Sequence, residues 1–279
     1  MSTNVNRNRL SETMQQAHDR IYTGSVKQAI RWLGFNKILS TPYWKLAFAL
    51  SDDTRTHTIL NQTVKFRTTT FSEFRRFDDF VGERPVLEDV LRSLDQGDVF
   101  YDIGANVGTY TCFVASKLGP GQTVAFEPEP NNVERLSENL SLNHLNAMIE
   151  QVALSDQNGT VELALEGDES GEGTHAIATD STQHTIEVEI ATGDSIVDRR
   201  ELPDPTVLKI DVEGAELSVL RGMKETLREH CRLVYVEVHP DKIDEYGKSP
   251  AEVHSLLEEA GFEFEEFERR GKQYFLRAE

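Results

Sequence analysis

From Gln96 onward, short apolar and β-branched runs alternate with longer amphipathic stretches. That alternation predicts an α/β fold, a doubly wound and mostly parallel sheet with helices on both faces. Strands are expected at Val99–Ile103, Thr123–Glu127, around Ile149–Leu154, at Thr206–Asp211 and at Leu233–Val238. Between them, Thr109–Leu118 has helical spacing and stops at Gly119-Pro120-Gly121, while Asn131 or Asn132 is placed to cap a helix through Val133, Leu136 and Leu140. Further helices are expected over Ala215–His230 and Pro250–Ala260, and two strands around the turn Arg270-Gly271-Lys272 would close the sheet as an antiparallel hairpin.

Between Gly159 and Ile190 the period changes to two, in VELAL and TIEVEI, around a polar stretch from Gly167 to His184. This predicts a β-ribbon insertion over 159–190 with a mobile tip. The first part of the chain is less regular: one or two helices in Ser11–Leu33, a pair of short strands in Thr58–Thr70, and a helix over Pro85–Leu94. Residues 1–85 are therefore expected to be an extension or cap, and 86–279 one large domain. Trp32, Tyr43, Trp44 and Phe48 of the cap suit a satellite core better than a substrate wall.

Composition narrows the function classes. At 279 residues and 38% hydrophobic the chain can bury a sizeable core, and its net charge of −19 repels nucleic-acid phosphates and anionic headgroups. No nucleic-acid partner is expected. No run approaches the ~20 apolar residues that span a bilayer, and MSTNVNRNRL lacks a signal-peptide core, so a cytoplasmic location is expected. Acid excess with few lysines also suits a halophilic source. Cys112 and Cys231 fall in a helix and at a strand edge, where they read as packing residues.

The chemistry begins at Asp102-Ile103-Gly104-Ala105-Asn106-Val107-Gly108, where the first strand turns into the first helix. Glycine lets a backbone approach a ligand there, and the helix start presents free N–H groups. Glu127, at the end of the second strand, is placed to accept both ribose hydroxyl hydrogens of an adenosine cofactor. Asn106 stands where a pyrophosphate site wants glycine, and the Asp102 carboxylate would repel a pyrophosphate but attract an ammonium or sulfonium. Charge sign thus favours S-adenosylmethionine over NAD. A second constellation, Lys209-Ile210-Asp211-Val212-Glu213-Gly214-Ala215-Glu216, leaves the next core strand at the same rim, and Glu237 and His239 leave the one after it. Helix capping alone does not explain so charged an exit from an apolar strand.

Together DIGANVG, AFEPEP, VALSD, LKIDVEGAEL and VEVH resemble the FkbM-type S-adenosylmethionine-dependent methyltransferases, over roughly Val86–Glu268. The resemblance implies a seven-stranded class I methyltransferase fold and methyl transfer to a hydroxyl of a sugar, glycolipid or other small molecule. It implies that Asp102, Gly104 and Gly108, with Ala105 and Asn106 of the same turn, line the methionine end of the cofactor. Glu127, followed by Pro128, would hold the ribose; Ser155 and Asp156 would lie by the adenine, and Asp211 near the donor methyl. Residues 1–85 and the 167–184 stretch match nothing specific and are the expected seat of acceptor choice.

An alcohol acceptor needs a proton acceptor. His239 comes first, with an ordinary pKa near 6.5, then Asp211 or Glu213; His175, in a polar loop, is a distant third. No metal is expected, although Asp211, Glu237 and His239 form an oxygen-and-nitrogen set that a divalent ion would accept. The rivals are a nicotinamide oxidoreductase, a nucleic-acid methyltransferase using the basic turn Arg269, Arg270 and Lys272, and a non-catalytic binding module. An Asn/Asp-Pro-Pro-Tyr/Phe loop, the mark of the second, is replaced here by Asp211-Val212-Glu213-Gly214.

Overall fold

The computed structural model describes residues 44–165, 176–177 and 185–279. A helical segment over 44–50 precedes a hairpin of β1 (Thr54–Ile59) and β2 (Gln62–Arg67), then helices α1 (Phe71–Asp79) and α2 (Arg84–Ser93). Next come β3 (Phe100–Ile103), α3 (Thr109–Lys117), β4 (Thr123–Phe126), α4 (Pro130–Leu142) and β5 (Met148–Glu150). They are followed by β6 (Ala153–Leu154), β7 (Gly159–Ala164), β8 (Ala176–Ile177), β9 (Thr185–Ala191) and α5 (Gly193–Arg200). The succession ends with β10 (Val207–Ile210), α6 (Glu216–Arg221), α7 (Lys224–Glu229), β11 (Leu233–Val238), α8 (Pro240–Glu245), α9 (Pro250–Ala260), β12 (Phe264–Arg270) and β13 (Gln273–Ala278).

The main sheet has seven strands in the order β12-β13-β11-β10-β3-β4-β5. All neighbours are parallel except β13, which runs antiparallel to both β11 and β12. Every residue of β3, β4, β10 and β11 is buried, as strands covered on both faces require. Alternate residues serve opposite faces. Tyr101, Ile103, Leu208, Ile210, Val234 and Val236 pack under α5 to α9, whereas Phe100, Ala125, Val207 and Tyr235 pack under α2 to α4 and the β1–β2 hairpin.

Several local expectations shift. The first hairpin turns at Leu60-Asn61, both with positive φ (45° and 70°), so its strands start four residues before the expected span. The strand expected around 149–154 is divided: β5 joins the main sheet and β6 pairs with β9 in a four-stranded sheet, order β6-β9-β7-β8. The expected ribbon is therefore β7 and β9 of that sheet. Helix α4 is capped by Glu129, whose carboxylate accepts from the Asn131 and Asn132 N–H groups, because Pro130 takes the first helical position.

The single helix expected over Ala215–His230 is two. The Gly222 carbonyl accepts from the Asp194 N–H instead of continuing the helix, and a Cβ on Gly222 would lie 1.9 Å from the Ser155 carbonyl. Cys112 and Cys231 are both free, the first fully buried. Trp44 and Phe48 pack edge-on against Phe74, as a satellite cluster. The expectations for Ser11–Leu33, Trp32, Tyr43 and His175, and for most of the 167–184 tip, fall outside the described residues. No helix among the described residues is long and apolar enough to cross a membrane.

Candidate active site

Strand order reverses between β3 and β10, and in open α/β sheets a crevice opens where this happens, beyond the carboxyl ends of the strands. Here it is a cleft of about 350 Å³. One end is bounded by Gly104, Ala105, Asn106, Glu127, Pro128 and Ser155, with an apolar wall of Phe126, Val152, Leu154, Val161, Leu163 and Ile190. The other end is bounded by Arg76, Glu83, Tyr110, Asp211, Glu213, Glu237, His239 and Arg270.

The first end is shaped by backbone. Gly104 has φ 76°, and a Cβ there would sit 1.9 Å from the Asp211 carbonyl, so only glycine lets the two strand ends meet. Asn106 has φ 50°; its side chain accepts from the Val107 N–H at 2.8 Å, which supports the left-handed turn. Its own N–H donates to Glu127 Oε2 at 2.7 Å. Glu127 Oε1 accepts from the Glu129 N–H at 3.0 Å and Asn132 Nδ2 at 3.4 Å. Burial pushes the Glu127 carboxyl up to about 7, against those donors.

Three expected residues stand elsewhere. Asp102 is fully buried beneath the turn and does not line the cleft; it accepts from the Thr111 N–H and hydroxyl at 2.9 and 2.6 Å and pairs with Lys209 Nζ at 3.1 Å. The strand register sets this pair, since Lys209 lies opposite Asp102 across β10 and β3 on the same face. Gly108 caps α3 with φ 87° against Leu136, also off the wall. Asp156 is exposed outside the cleft, whereas its neighbour Ser155 is buried in the wall.

The second end is shaped by charge. Lys209, itself buried, donates to the Gly104 carbonyl at 2.9 Å and lies 3.5 Å from Asp211 Oδ2. Burial alone would raise the Asp211 carboxyl, but Lys209 and then His239 hold it below the usual range. Glu213 has φ 48°, an unfavourable backbone for that residue, and burial pushes its carboxyl up. Arg270 Nη2 donates to Glu237 Oε2 at 2.7 Å, and burial, then the Asp211 charge, raises the Glu237 carboxyl.

His239 sits in the middle. Its Nδ1 is 2.6 Å from Glu216 Oε1, and its Nε2 faces Glu213 Oε2, Asp211 Oδ1 and Glu237 Oε1 at 3.7, 3.8 and 3.9 Å. Burial would lower its pKa, but the Glu216 hydrogen bond and the surrounding carboxylates raise it to about 9. An imidazolium has no lone pair with which to accept a proton. The ordinary pKa that put His239 first as general base is therefore not what this environment gives.

Sequence reasoning left Arg76, Glu83, Tyr110 and Arg270 out of the site and placed Glu216 in the charged constellation without a partner. Lys209 had a legible signal, a lysine inside an apolar strand. Arg270 had none, because only the insertion of β13 between β11 and β12 brings it to Glu237. Its neighbours in the basic turn are paired with carboxylates as well, Arg269 with Glu266 and Lys272 with Asp241.

The sequence profile described as "Methyltransferase FkbM domain" matches residues 102–264. A relative from Haloferax volcanii, "Hexuronic acid methyltransferase AglP", is 32% identical over 196 residues, 70% of this chain and 76% of its own length. "Methyltransferase sdnD" from Sordaria araneosa is 28% identical over 62% of this chain and 76% of that protein. Among solved structures, a methyltransferase FkbM from Methylobacillus flagellatus KT aligns with a TM-score of 0.49 at 15% identity, over 75% of this chain and 53% of that one.

Proposed function

Because the chain belongs to the FkbM methyltransferase family and is an S-adenosylmethionine-dependent enzyme, we propose that it methylates an oxygen of a sugar or sugar acid. The observation that carries the reading is the two-part cleft: an apolar slot closed by one buried carboxylate, opening into a nest of further carboxylates. Such a cleft suits a ligand with an adenosine body and a cationic end. The name of the Haloferax volcanii relative supports the sugar class of acceptor.

S-adenosylmethionine, when bound, supplies an electrophilic methyl group on a sulfonium. Glu127 would accept the ribose hydroxyl hydrogens, with Pro128 beside it; Ser155 and the apolar wall that includes Val152 and Ile190 would take the adenine. Gly104, Ala105 and Asn106 present the turn to the methionine part. Asp102 and Gly108 act as positioning residues beneath it, through Lys209 and α3. Asp211 lies toward the transferred methyl.

Methyl transfer to a hydroxyl would release that hydroxyl's proton, and a carboxylate at the far end of the cleft would receive it. Glu213 takes that role, since its oxygen reaches the cleft and burial moves its pKa toward the working range. Holding the oxygen in line with the sulfur, away from water, carries much of the rate. The cap of residues 1–85 shares in acceptor choice through Arg76 and Glu83, and the 159–190 insertion lends Val161, Leu163 and Ile190 to the wall.

Calorimetric titration with S-adenosylhomocysteine and with NADH tests the cofactor, and methyl transfer to uronic acids and neutral sugars tests the acceptor. Micromolar binding of the first ligand alone, with turnover on sugars, is expected. Binding of NADH alone would overturn the reading.

A further inference from the structure

Asp211 leaves β10 next to where Glu237 and His239 leave β11, and one ligand atom from each of the three lies within 4.8 Å of the others. Each is held by a partner that turns an atom inward. Lys209 lies on Asp211 Oδ2, leaving Oδ1 toward His239; Arg270 binds Glu237 Oε2, leaving Oε1 toward His239. Glu216, with no exposure, binds His239 Nδ1 at 2.6 Å and so fixes the ring with Nε2 pointing at both inner oxygens. Nε2 turns to the cleft with every facing carboxylate oxygen 3.7 Å or more away, beyond ordinary hydrogen-bond length. A carboxylate behind a histidine that faces an oxygen set is the outer shell that metal-binding imidazoles use.

From this arrangement, which rests on the methyl-transfer reading for its purpose, we infer that Asp211 Oδ1, Glu237 Oε1 and His239 Nε2 bind one divalent cation, the ion displacing the proton that Nε2 carries without it. Two carboxylate oxygens and one imidazole nitrogen suit an ion that accepts mixed ligands, Mn²⁺ best and Mg²⁺ next. The separations of the three atoms allow one ion between them after small side-chain movements, and the cleft leaves its remaining positions open to the acceptor and water. There the ion would hold the acceptor hydroxyl oxygen and lower its pKa, while Glu213, left outside the ligand set, receives the proton. Lys209, Arg270 and Glu216 are positioning residues for the three ligands.

Electron paramagnetic resonance of the full chain titrated with Mn²⁺ alone tests the site. One equivalent of Mn²⁺ should leave the free six-line signal, and pulsed spectra of the bound ion should show ¹⁴N modulation from His239. His239→Gln should abolish the modulation and weaken Mn²⁺ binding at least about tenfold, and Glu216→Gln, which keeps all three ligands, should weaken it about 10- to 100-fold. Circular dichroism checks folding, and if His239→Gln fails to fold the Glu216→Gln result decides. Absence of stoichiometric binding, a bound ion without ¹⁴N modulation, or unchanged affinity in the folded variants would overturn the inference. So would displacement of Mn²⁺ by S-adenosylhomocysteine, which would mean that the carboxylates serve the cofactor's own cation. Calorimetry with S-adenosylhomocysteine keeps the two readings apart: its binding without Mn²⁺ binding removes only the cation, and the reverse removes only the methyl-donor reading.

Discussion

The two ends of the cleft are built by different means. At the Gly104–Glu127 end the main chain does most of the shaping: a left-handed Asn106, a glycine pressed against the Asp211 carbonyl, and N–H groups aimed at Glu127. At the Asp211–His239 end the strand ends deliver the side chains, and the geometry comes from buried charges holding one another in place. The first device tolerates substitution of side chains that face away. The second makes each charge depend on its partner, because a lone charge out of water is far more costly than a paired one.

Four substitutions or conditions would break or sharpen that contrast. Glu213→Gln removes the proposed proton acceptor and should lower kcat about 10²- to 10⁴-fold with little change in S-adenosylhomocysteine affinity, read by steady-state kinetics and calorimetry. Lys209→Met strands Asp102 and Asp211 together and should destabilise the fold by about 3–5 kcal/mol in urea unfolding. A loss below about 1 kcal/mol would mean that the charged end is not held as a network. Glu127→Gln, by contrast, loses charge-assisted hydrogen bonds worth about 1.5–3 kcal/mol, so cofactor affinity should fall about 10- to 100-fold while the fold survives.

The smallest effect is with pH. Because the folded-state pKa of Glu127 is raised from 4.5 to about 7, the folded protein keeps a proton that the unfolded chain releases between those values. Its contribution to stability is therefore fully present below 4.5 and is lost as pH rises through 7. Affinity for S-adenosylhomocysteine should rise over the same interval as the carboxylate ionises. Both slopes should shrink in Glu127→Gln, which denaturation and calorimetry at stepped pH would register.

The same contrast explains what could be read from the chain beforehand. Buried parallel strands write themselves as apolar runs, so β3, β4, β10 and β11 were visible, as were the closing hairpin, the turn at Gly104 and the carboxylate at Glu127. Asp102 looked like a ligand contact because its spacing says only that it ends a strand. Its partner Lys209, more than a hundred residues away, decides that it faces inward. His239 likewise has an ordinary pKa in the sequence and a raised one among four carboxylates. The break at Gly222 depends on the Ser155 carbonyl passing close by, a tertiary contact that periodicity does not contain.

The placement of β13 between β11 and β12 bears on how the protein comes to be made. During synthesis β11 emerges with one side paired to β10 and the other edge open until Gln273–Ala278 follows about 35 residues later. At roughly 5–20 residues per second that is an interval of about two to seven seconds in which an unpaired strand edge is available to neighbouring nascent chains. Arg270 lies on β12, beyond β13, so the growing chain passes through a stage at which its parallel strands are made and the end of the cleft that holds Glu237 and Arg270 is still unassembled.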